Sequence, residues 1–311
     1  MTAKELTTHT TPTPATREDF ASVVALVVDG LTSEHSRRAY RRTLEDFLTW
    51  WDAEGRPTLS KAIVQRYKRR LQDANLAPST INQRLSAIRK LAREAADNGL
   101  IPPHLAAGIE RVSGVRSGGV RTGNWLSREQ AEDLLNTPDA STLKGLRDRA
   151  ILAMLLGGGL RRAEAARLTF EHVQQRDGRW ALVDIMGKRN KVRTVPIPSW
   201  AKVAIDAWAK AAGIREGLIF RSVRKGGRVN GESMTPQAIY SLVREHAGGL
   251  DVAAHDLRRT FAKLAYKGGS ALDQIQLSLG HASIQTTERY LGVEQDLTDA
   301  PCDRLGLRLA S

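Results

Sequence analysis

Hydrophobic residues recur every three or four positions in the first third of the chain, which is the spacing of one face of an α-helix. Between Ser36 and Trp51 this stripe consists of Tyr40, Leu44, Phe47, Leu48 and Trp51. Between Ser79 and Asn98 it consists of Ile81, Leu85, Ile88, Ala92 and Ala95. Gly99, followed by Pro102 and Pro103, predicts the end of the second helix. With a further helix over 61–75, the pattern predicts an all-helical first domain over residues 17–111.

The polar faces of these helices are rich in basic residues. Those that lie off the two stripes include Arg37, Arg38, Arg41, Arg42, Arg84, Lys90 and Arg93. An ordinary solvated helix face has the same pattern, and that interpretation stays open. Three basic helices in one small domain nevertheless favour a surface that binds a polyanion.

The second part of the chain has a mixed pattern. A capping-box sequence begins at Ser127 and predicts a helix to Leu135. Two β-rich runs, Trp180–Ile185 and Val192–Ile197, flank a Gly-Lys-Arg-Asn turn and predict a hairpin. The remaining predicted helices span about 143–157, 161–168, 199–212, 235–247, 255–267, 271–279 and 283–291.

Glycine and proline mark the boundaries between these parts. Residues 1–16 are rich in Thr and Pro and are expected to form a disordered tail. Residues 112–124 contain four glycines without periodicity and are expected to form a flexible linker. We therefore expect a second domain over residues 125–295 and a short C-terminal tail over 296–311.

Composition narrows the class of protein. The 311 residues include 47 Lys and Arg against 34 Asp and Glu, a net charge of +13, and both parts of the chain are basic. Such a charge favours nucleic acid as partner over an anionic membrane surface. The lone cysteine, Cys302, excludes an internal disulfide and a cysteine-based zinc cluster. No apolar run reaches the roughly 20 residues of a membrane-spanning helix, and no secretory leader is recognisable. We expect a soluble protein of a reducing compartment.

Candidate chemistry is concentrated in four short segments of the second part, since Walker A, dinucleotide-binding, HExxH and EF-hand patterns are absent from the sequence. The segments are Gly157-Gly-Gly-Leu-Arg161-Arg162-Ala-Glu164, Gly187-Lys188-Arg189-Asn190-Lys191-Val-Arg193, His255-Asp-Leu-Arg258-Arg259 and Leu279-Gly280-His281 with Tyr290 nine residues later. In this order and spacing they resemble the tyrosine recombinase (phage integrase) family. The match covers the whole second part, and the helical first part resembles the family's core-binding domain. The type implied has two domains and no separate arm-binding domain.

The resemblance implies a fold that is mainly α with a small β-sheet. It combines an N-terminal helical SAM-like core-binding domain with a mixed α/β catalytic domain. It also implies an enzyme that cuts and rejoins DNA strands through a 3′-phosphotyrosine and a Holliday junction. The implied partners are double-stranded DNA sites and three further copies of the chain, in a cytoplasmic, nucleoid-associated setting. Neither a metal nor another cofactor is implied.

The resemblance also assigns roles to residues. Tyr290 is the implied nucleophile, and Arg161 and Arg258 are implied to clamp the scissile phosphate, as planar bidentate donors do well. Lys188 is the implied general acid, because the pKa of a lysine can be lowered whereas that of an arginine effectively cannot. His255 is expected in proton transfer and His281 in a hydrogen bond to the phosphate. Glu164 is expected to orient these groups.

Several alternatives stay open at this stage. Lys191 and Arg189 compete with Lys188 within the same turn, and Arg162 competes with Arg161. We assign Arg189, Lys191 and Arg259 to DNA binding, together with Arg37, Arg38, Arg41, Arg42, Arg84 and Lys90. Arg259 departs from the family pattern, in which many members carry a second His. A catalytically silent DNA-binding regulator and a type IB topoisomerase-like enzyme are the competing functions. We expect the tail 296–311 to dock on a neighbouring copy.

Overall fold

The structure is a computed structural model that describes residues 17–116, 124–187 and 191–292. Contacts divide the chain into two units, with the boundary after Val120. The expectations for residues 1–16, 117–123 and 296–311, and for the candidate site residues Lys188 and Arg189, lie outside the described residues.

The first unit is helical throughout its described range, 17–116. Its helices are α1 (Arg17–Asp29), α2 (Glu34–Ala53), α3 (Lys61–Asp73), α4 (Pro78–Asp97) and α5 (Pro103–Glu110). The stripe predicted on α2 is buried from Leu44 to Trp51, and the stripe on α4 is buried from Ile81 to Ala95. Tyr67 of α3 meets Phe47 of α2 edge to face, with ring centroids 5.0 Å apart. Helical periodicity therefore locates the core of this unit.

Two boundaries of the first unit differ from expectation. Helix α4 ends before Pro102 and Pro103, as expected, but Pro103 also begins α5, because a proline in the first helical position lacks only an N–H that has no partner there. Residues 112–116, expected to be linker, lie against the first unit. Val112 is buried, and Asn82 bonds both the N–H and the carbonyl of Val115. These contacts fasten five residues of the predicted linker to α4.

The second unit is built around one buried helix. Its described helices are α6 (Arg128–Asn136), α7 (Leu143–Gly157), α8 (Arg162–Ala165), a 3-10 turn (Phe170–His172), α9 (Ser199–Ala212), α10 (Pro236–His246), α11 (Ala254–Lys267), α12 (Leu272–Leu279) and α13 (Ile284–Leu291). Helix α7 is buried from Ala150 to Gly157, where the sequence is apolar on all sides. It packs against α9 and α11. The apolar run in the sequence is therefore a core helix.

A small antiparallel sheet covers part of this core. It has the order β1 (Val173–Arg176), β2 (Arg179–Met186) and β3 (Val192–Pro196), and a separate two-stranded ribbon joins β4 (Ser222–Val223) to β5 (Val229–Asn230). The hairpin β2–β3 follows the prediction, whereas β1 and the ribbon are too short and polar for the sequence pattern to indicate them. The predicted fold class, mainly α with small sheets, is confirmed.

The helix predicted over 161–168 is wrong in length, since α8 ends at Ala165. The Leu168 carbonyl instead accepts a hydrogen bond from the Ile219 N–H at 2.8 Å, and Thr169 forms a β-bridge with Leu218. Pairing with a distant strand-like segment therefore ends the helix early.

Candidate active site

Arg161 lies where the buried helix α7 ends. Gly159 follows α7 in a left-handed conformation, with φ of 57°. A Cβ at Gly159 would lie 2.6 Å from Cδ1 of Phe261, so this position accepts only glycine without rearrangement. Arg161 is then the N-cap residue of α8, and its side chain is 31% exposed. The glycine break, residues 157–159, thus ends the buried helix and places Arg161 at the surface of the unit.

Glu164 is the acceptor around which the arginines gather. Its carboxylate, 5% exposed, accepts from the Arg161 backbone N–H at 2.8 Å and from the Arg161 side chain at 2.7 Å. Burial acts to raise the pKa of Glu164, but the hydrogen bonds and charges of Arg193, and then those of Arg161, outweigh it and lower the pKa to about 2. Glu164 is therefore a carboxylate at neutral pH and offsets the charge of the arginines.

Arg193 is an arginine of this cluster to which the sequence analysis assigned no role. Its two terminal nitrogens lie 3.0 and 2.8 Å from the two oxygens of Glu164, a bidentate arrangement. Its Nε donates to the Ser278 carbonyl at 2.8 Å, one turn before His281. A Cβ at Gly280 would lie 2.9 Å from Cδ of Arg193, so glycine makes room for the guanidinium. The available signal was the position of Arg193 in the second of the four segments, on the second strand of the predicted hairpin.

Arg258 is almost completely enclosed, with 1% of its surface exposed. It donates to the Gly159 carbonyl at 2.6 Å and to the Leu279 carbonyl, and lies 3.9 Å from Glu164. Burial, followed by repulsion from Arg161, lowers the pKa of Arg258 to about 9. It remains protonated at neutral pH, held between the glycine break and the end of α12.

Tyr290 and His255 lie side by side on α13 and α11. The Tyr290 oxygen is 3.5 Å from His255 Nε2, and the hydroxyl donates to the His255 carbonyl at 3.3 Å. Burial raises the pKa of Tyr290 above its usual value, and this exceeds the opposing influence of Arg258 and Arg259. Burial, with Arg259 next, lowers the pKa of His255. A protonated phenol therefore faces a neutral imidazole, which is the pairing that proton transfer requires.

His281 closes the other side of the tyrosine. Its ring centroid is 5.3 Å from that of Tyr290, with the planes nearly perpendicular. Its Nδ1 shares a hydrogen bond with Thr287 Oγ1 at 2.9 Å, and Thr287 is fully buried. Burial, with the charge of Arg258 next, lowers the pKa of His281 to about 4. Thr287, which the sequence analysis did not single out, orients this histidine.

The structure thus gathers most of the predicted catalytic residues into one cluster. Its described members form two groups in contact, Arg161 with Glu164 and Arg258, and His255 with Tyr290 and His281. The charges of Arg161 and Arg258 act on His281 and Tyr290 across the gap between the groups. The implied general acid, Lys188, lies between β2 and β3 in the sequence, outside the described residues. The nearby Lys191 is exposed, and its carbonyl accepts the Gly187 N–H at 2.7 Å. Hydrogen bonds to Glu164 and to backbone carbonyls therefore fix the orientation of Arg161, Arg193 and Arg258.

The residues assigned to DNA binding fall into different settings. Arg38, Arg41 and Arg42 are exposed on α2. Arg37 is half-buried and donates to the Leu31 carbonyl at 2.7 Å, and Lys90 is also half-buried. Arg84 donates to the Tyr67 hydroxyl at 3.1 Å and pairs with Asp46. Arg37 and Arg84 thus have intramolecular partners that the polar-face pattern did not reveal.

Arg259, in the second unit, lies over the ring of Tyr290. Within the described residues, no helix is long and apolar enough to cross a membrane. No cluster of three or more metal-ligating side chains occurs in the same part of the chain.

Comparison with known proteins adds a family and a fold. The sequence model of the phage integrase family matches residues 124–296, and the model of the phage integrase N-terminal SAM-like domain matches residues 24–99. Tyrosine recombinase XerC of Pseudomonas putida is 30% identical over 267 residues, covering 83% of this chain and 85% of the relative. Tyrosine recombinase XerD of Pseudomonas aeruginosa is 31% identical over 281 residues, covering 86% and 89%.

A solved structure shares the fold. The XerH site-specific recombinase bound to palindromic difH substrate, in a post-cleavage complex, superimposes with a TM-score of 0.67 at 20% identity. The match covers 90% of this chain and 82% of that one.

Proposed function

The chain belongs to the phage integrase family, the tyrosine-type site-specific DNA recombinases, and we propose that Tyr290 is the residue through which it cuts and rejoins DNA. The Tyr290 oxygen attacks the scissile phosphorus, and the bond to the 5′ oxygen of the next nucleotide breaks. A 3′-phosphotyrosine and a free 5′-hydroxyl result. The observation that carries this assignment is the 3.5 Å approach of the Tyr290 oxygen to His255 Nε2 within the arginine cluster.

His255 acts as the base in this proposal. The Tyr290 phenol must lose its proton as the phosphorus–oxygen bond forms, and a neutral imidazole at hydrogen-bonding distance accepts it. The lowered pKa of His255 supports this role, because it keeps the ring neutral at pH 7. His281, held by Thr287, donates to a phosphate oxygen.

Arg161 and Arg258 clamp the non-bridging phosphate oxygens. Charge grows on these oxygens as the fifth bond to phosphorus forms, and donors oriented beforehand stabilise that state most effectively. Glu164 keeps the two guanidinium groups in place and offsets their mutual repulsion. Glu164 and Arg193 are thus positioning residues for the clamp.

Lys188 supplies the proton to the departing 5′ oxygen. Its place in the sequence is between β2 and β3, and Arg193 of β3 is held by the carboxylate of Glu164. The reaction needs neither a metal nor ATP. Arginines stabilise the transition state, and the phosphotyrosine conserves the energy of the phosphodiester for rejoining.

The proposed partners are double-stranded DNA recombination sites and further copies of the chain. The XerH relative was solved on a difH site, which supports duplex DNA as the substrate here. We place the chain in a homo-tetramer on two sites that passes through a Holliday junction, in the cytoplasm on the nucleoid. The exposed arginines of α2 contact the phosphate backbone.

The tail 296–311 docks on a neighbouring copy in this proposal. The second unit carries an apolar groove of about 600 Å³ lined by residues of α6, α7, α9 and α11, among them Leu135, Leu156, Trp200, Phe261 and Leu264. The tail offers Leu297, Leu305, Leu307 and Leu309 to fill it. Deleting 296–311, or introducing Trp200→Glu, should abolish tetramers and strand exchange while duplex binding by single copies persists. Unchanged strand exchange contradicts this docking.

Covalent capture tests the central chemistry and does not require the target sequence to be specified. Nicked duplexes from the host genome, fragmented at random, are incubated with the protein, and DNA that stays attached after denaturation is sequenced. The account predicts a shared sequence motif with wild-type protein and no attached DNA with Tyr290→Phe. Attached DNA at wild-type levels from Tyr290→Phe contradicts it.

The captured DNA sites also distinguish the proposed function from the two competing functions. The relatives at about 30% identity are named tyrosine recombinases, so neither a silent regulator nor a relaxing enzyme is favoured. Two captured sites placed on separate DNA molecules should exchange strands. Relaxation of supercoils without such exchange is the result expected of a topoisomerase.

A further inference from the structure

Arg259 lies on the face of the Tyr290 ring. Its guanidinium carbon is 4.8 Å from the ring centroid, which is within the range of a cation–π contact. The side chain is only 14% exposed, and its Nε is buried without a hydrogen-bond partner in the described part of the chain. The Arg259 guanidinium therefore faces the Tyr290 ring, and its Nε does not donate to a carbonyl oxygen of the described residues.

Asp256 fixes the position of Arg259. One carboxylate oxygen lies 3.6 Å from the Arg259 guanidinium, and the other accepts the Ala253 N–H at 3.0 Å at the start of α11. Since Asp256 is tied to the helix terminus, it limits the positions that the Arg259 guanidinium can take. The rings of the two histidines lie nearly perpendicular to that of Tyr290. The ring centroids are 5.6 Å apart for His255 and 5.3 Å apart for His281. The nucleophile is thus enclosed by two imidazoles and one guanidinium.

Resting on the function proposed above, we propose that Arg259 is a positioning residue for the nucleophile, which holds the Tyr290 ring and favours its phenolate form. The attraction between a cation and an aromatic face increases when the ring gains negative charge. Arg259 therefore stabilises the attacking phenolate more than the resting phenol. The same interaction steadies the leaving phenolate when the DNA is rejoined.

The other charges around the phenol make Arg259 distinctive. The groups that face Tyr290 from the neighbouring elements are His255, Asp256, Arg258 and Arg259 of α11, Arg161 before α8, and His281 before α13. A bound phosphate neutralises part of the charge of Arg161 and Arg258. Arg259 is then the cation in this group that remains available to the ring. The sequence alone suggests DNA binding for Arg259, and the ring contact suggests a different role for it.

A pH–rate profile tests the inference on the full-length protein. Single-turnover formation of the covalent adduct is measured from pH 6 to pH 10 on a captured site, for wild type and Arg259→Met. We expect the variant to be slower by roughly tenfold at pH 7. The rising limb above pH 8, where the phenol ionises and His255 is already neutral, should be displaced upward by about one pH unit. Lys210→Met, on α9, removes one positive charge elsewhere in the same unit and should leave the profile unchanged.

Two further measurements separate positioning from other roles. Replacing Tyr290 by 3-fluorotyrosine, a more acidic phenol, should restore most of the rate of Arg259→Met, which a folding defect or a lost DNA contact does not allow. Duplex affinity and its salt dependence should match wild type. A weaker affinity with a smaller salt slope and an unshifted pH profile overturns the proposal in favour of a phosphate contact. Adduct formation by Tyr290→Phe instead overturns the proposed function itself.

Discussion

The arginines of helix α2 and those around Glu164 carry the same charge in opposite settings. Arg38, Arg41 and Arg42 are exposed, whereas Arg193 is 8% and Arg258 1% exposed. An exposed guanidinium interacts with DNA mainly by neutralising phosphates and releasing counterions, so its contribution is modest and depends on salt. A buried guanidinium has a fixed orientation, and removing it alters geometry and chemistry together. Net charge therefore indicates the partner, while burial indicates where the chemistry occurs.

Arg258→Met should have the largest effect on adduct formation and a smaller effect on the free energy of unfolding. Burial lowers the pKa of Arg258 to about 9, so the folded state disfavours its charge, and an apolar side chain of similar length removes that cost while losing two hydrogen bonds. We expect the free energy of unfolding to fall by roughly 1–3 kcal/mol, because the Gly159 and Leu279 carbonyls are left without their donor. Adduct formation should fall by about 10² to 10³. Urea denaturation and single-turnover cleavage measure the two quantities, and an active variant contradicts the clamp.

Glu164→Gln should have the next largest effect, chiefly on stability. The pKa of Glu164 lies at about 2 in the folded state against 4.5 ordinarily, so its contribution is complete above pH 4.5 and is lost as the pH falls through 2. We expect the variant to lose roughly 3 kcal/mol of unfolding free energy at pH 7.

The pH dependence provides the control for this substitution. Wild type should lose stability more steeply than Glu164→Gln between pH 5 and pH 2, as measured by thermal or urea unfolding. Parallel curves for the two proteins show that the carboxylate charge does not hold the arginines together.

Arg193→Lys keeps the charge but removes the two-pronged contact. A hydrogen bond to a charged group contributes about 1.5–3 kcal/mol, and a lysine replaces at most one of the two. We expect cleavage to slow by roughly 10- to 100-fold with duplex affinity unchanged. Lys210→Met, at an exposed position of α9, gives the comparison for loss of one charge in the same unit and should leave the cleavage rate unchanged. Equal rates for Arg193→Lys and wild type contradict the positioning role.

Arg38→Ala should have the smallest effect and represents the exposed group. We expect the slope of log affinity against log salt to decrease by about one, with unfolding free energy within about 0.5 kcal/mol of wild type. Arg84→Ala, by contrast, removes contacts with Tyr67 and Asp46 and should lower stability by about 1 kcal/mol. An unaltered salt slope for Arg38→Ala removes this face of α2 from the DNA interface.

Periodic spacing and motif order predicted much of this molecule, because both are local properties of the chain. The stripe from Leu44 to Trp51 is buried as the helical period requires, and the Gly-Leu-Arg motif places Arg161 at a helix start. The ends of elements were harder to predict where tertiary contacts decide them. Helix α8 ends early because Leu168 pairs with Ile219, a partner 51 positions away.

Pairwise contacts between distant residues account for what the sequence did not predict in the site. Arg193 and Glu164 are 29 positions apart, and neither residue type at its position indicates the other. The polar faces of α2 and α4 looked alike, yet Arg84 has a tyrosine partner and Arg38 is exposed. Local patterns thus identify candidate cations, and only the packed structure distinguishes a free guanidinium from a bound one.

Mapping the covalent attachment site tests the central claim most directly. Trypsin cleavage after Arg289 and Arg304 releases peptide 290–304, in which Tyr290 is the only tyrosine. After capture on a nicked duplex and nuclease digestion, mass spectrometry should find a nucleotide on Tyr290 in that peptide. A nucleotide on a peptide that contains Tyr240 or Tyr266 contradicts the account.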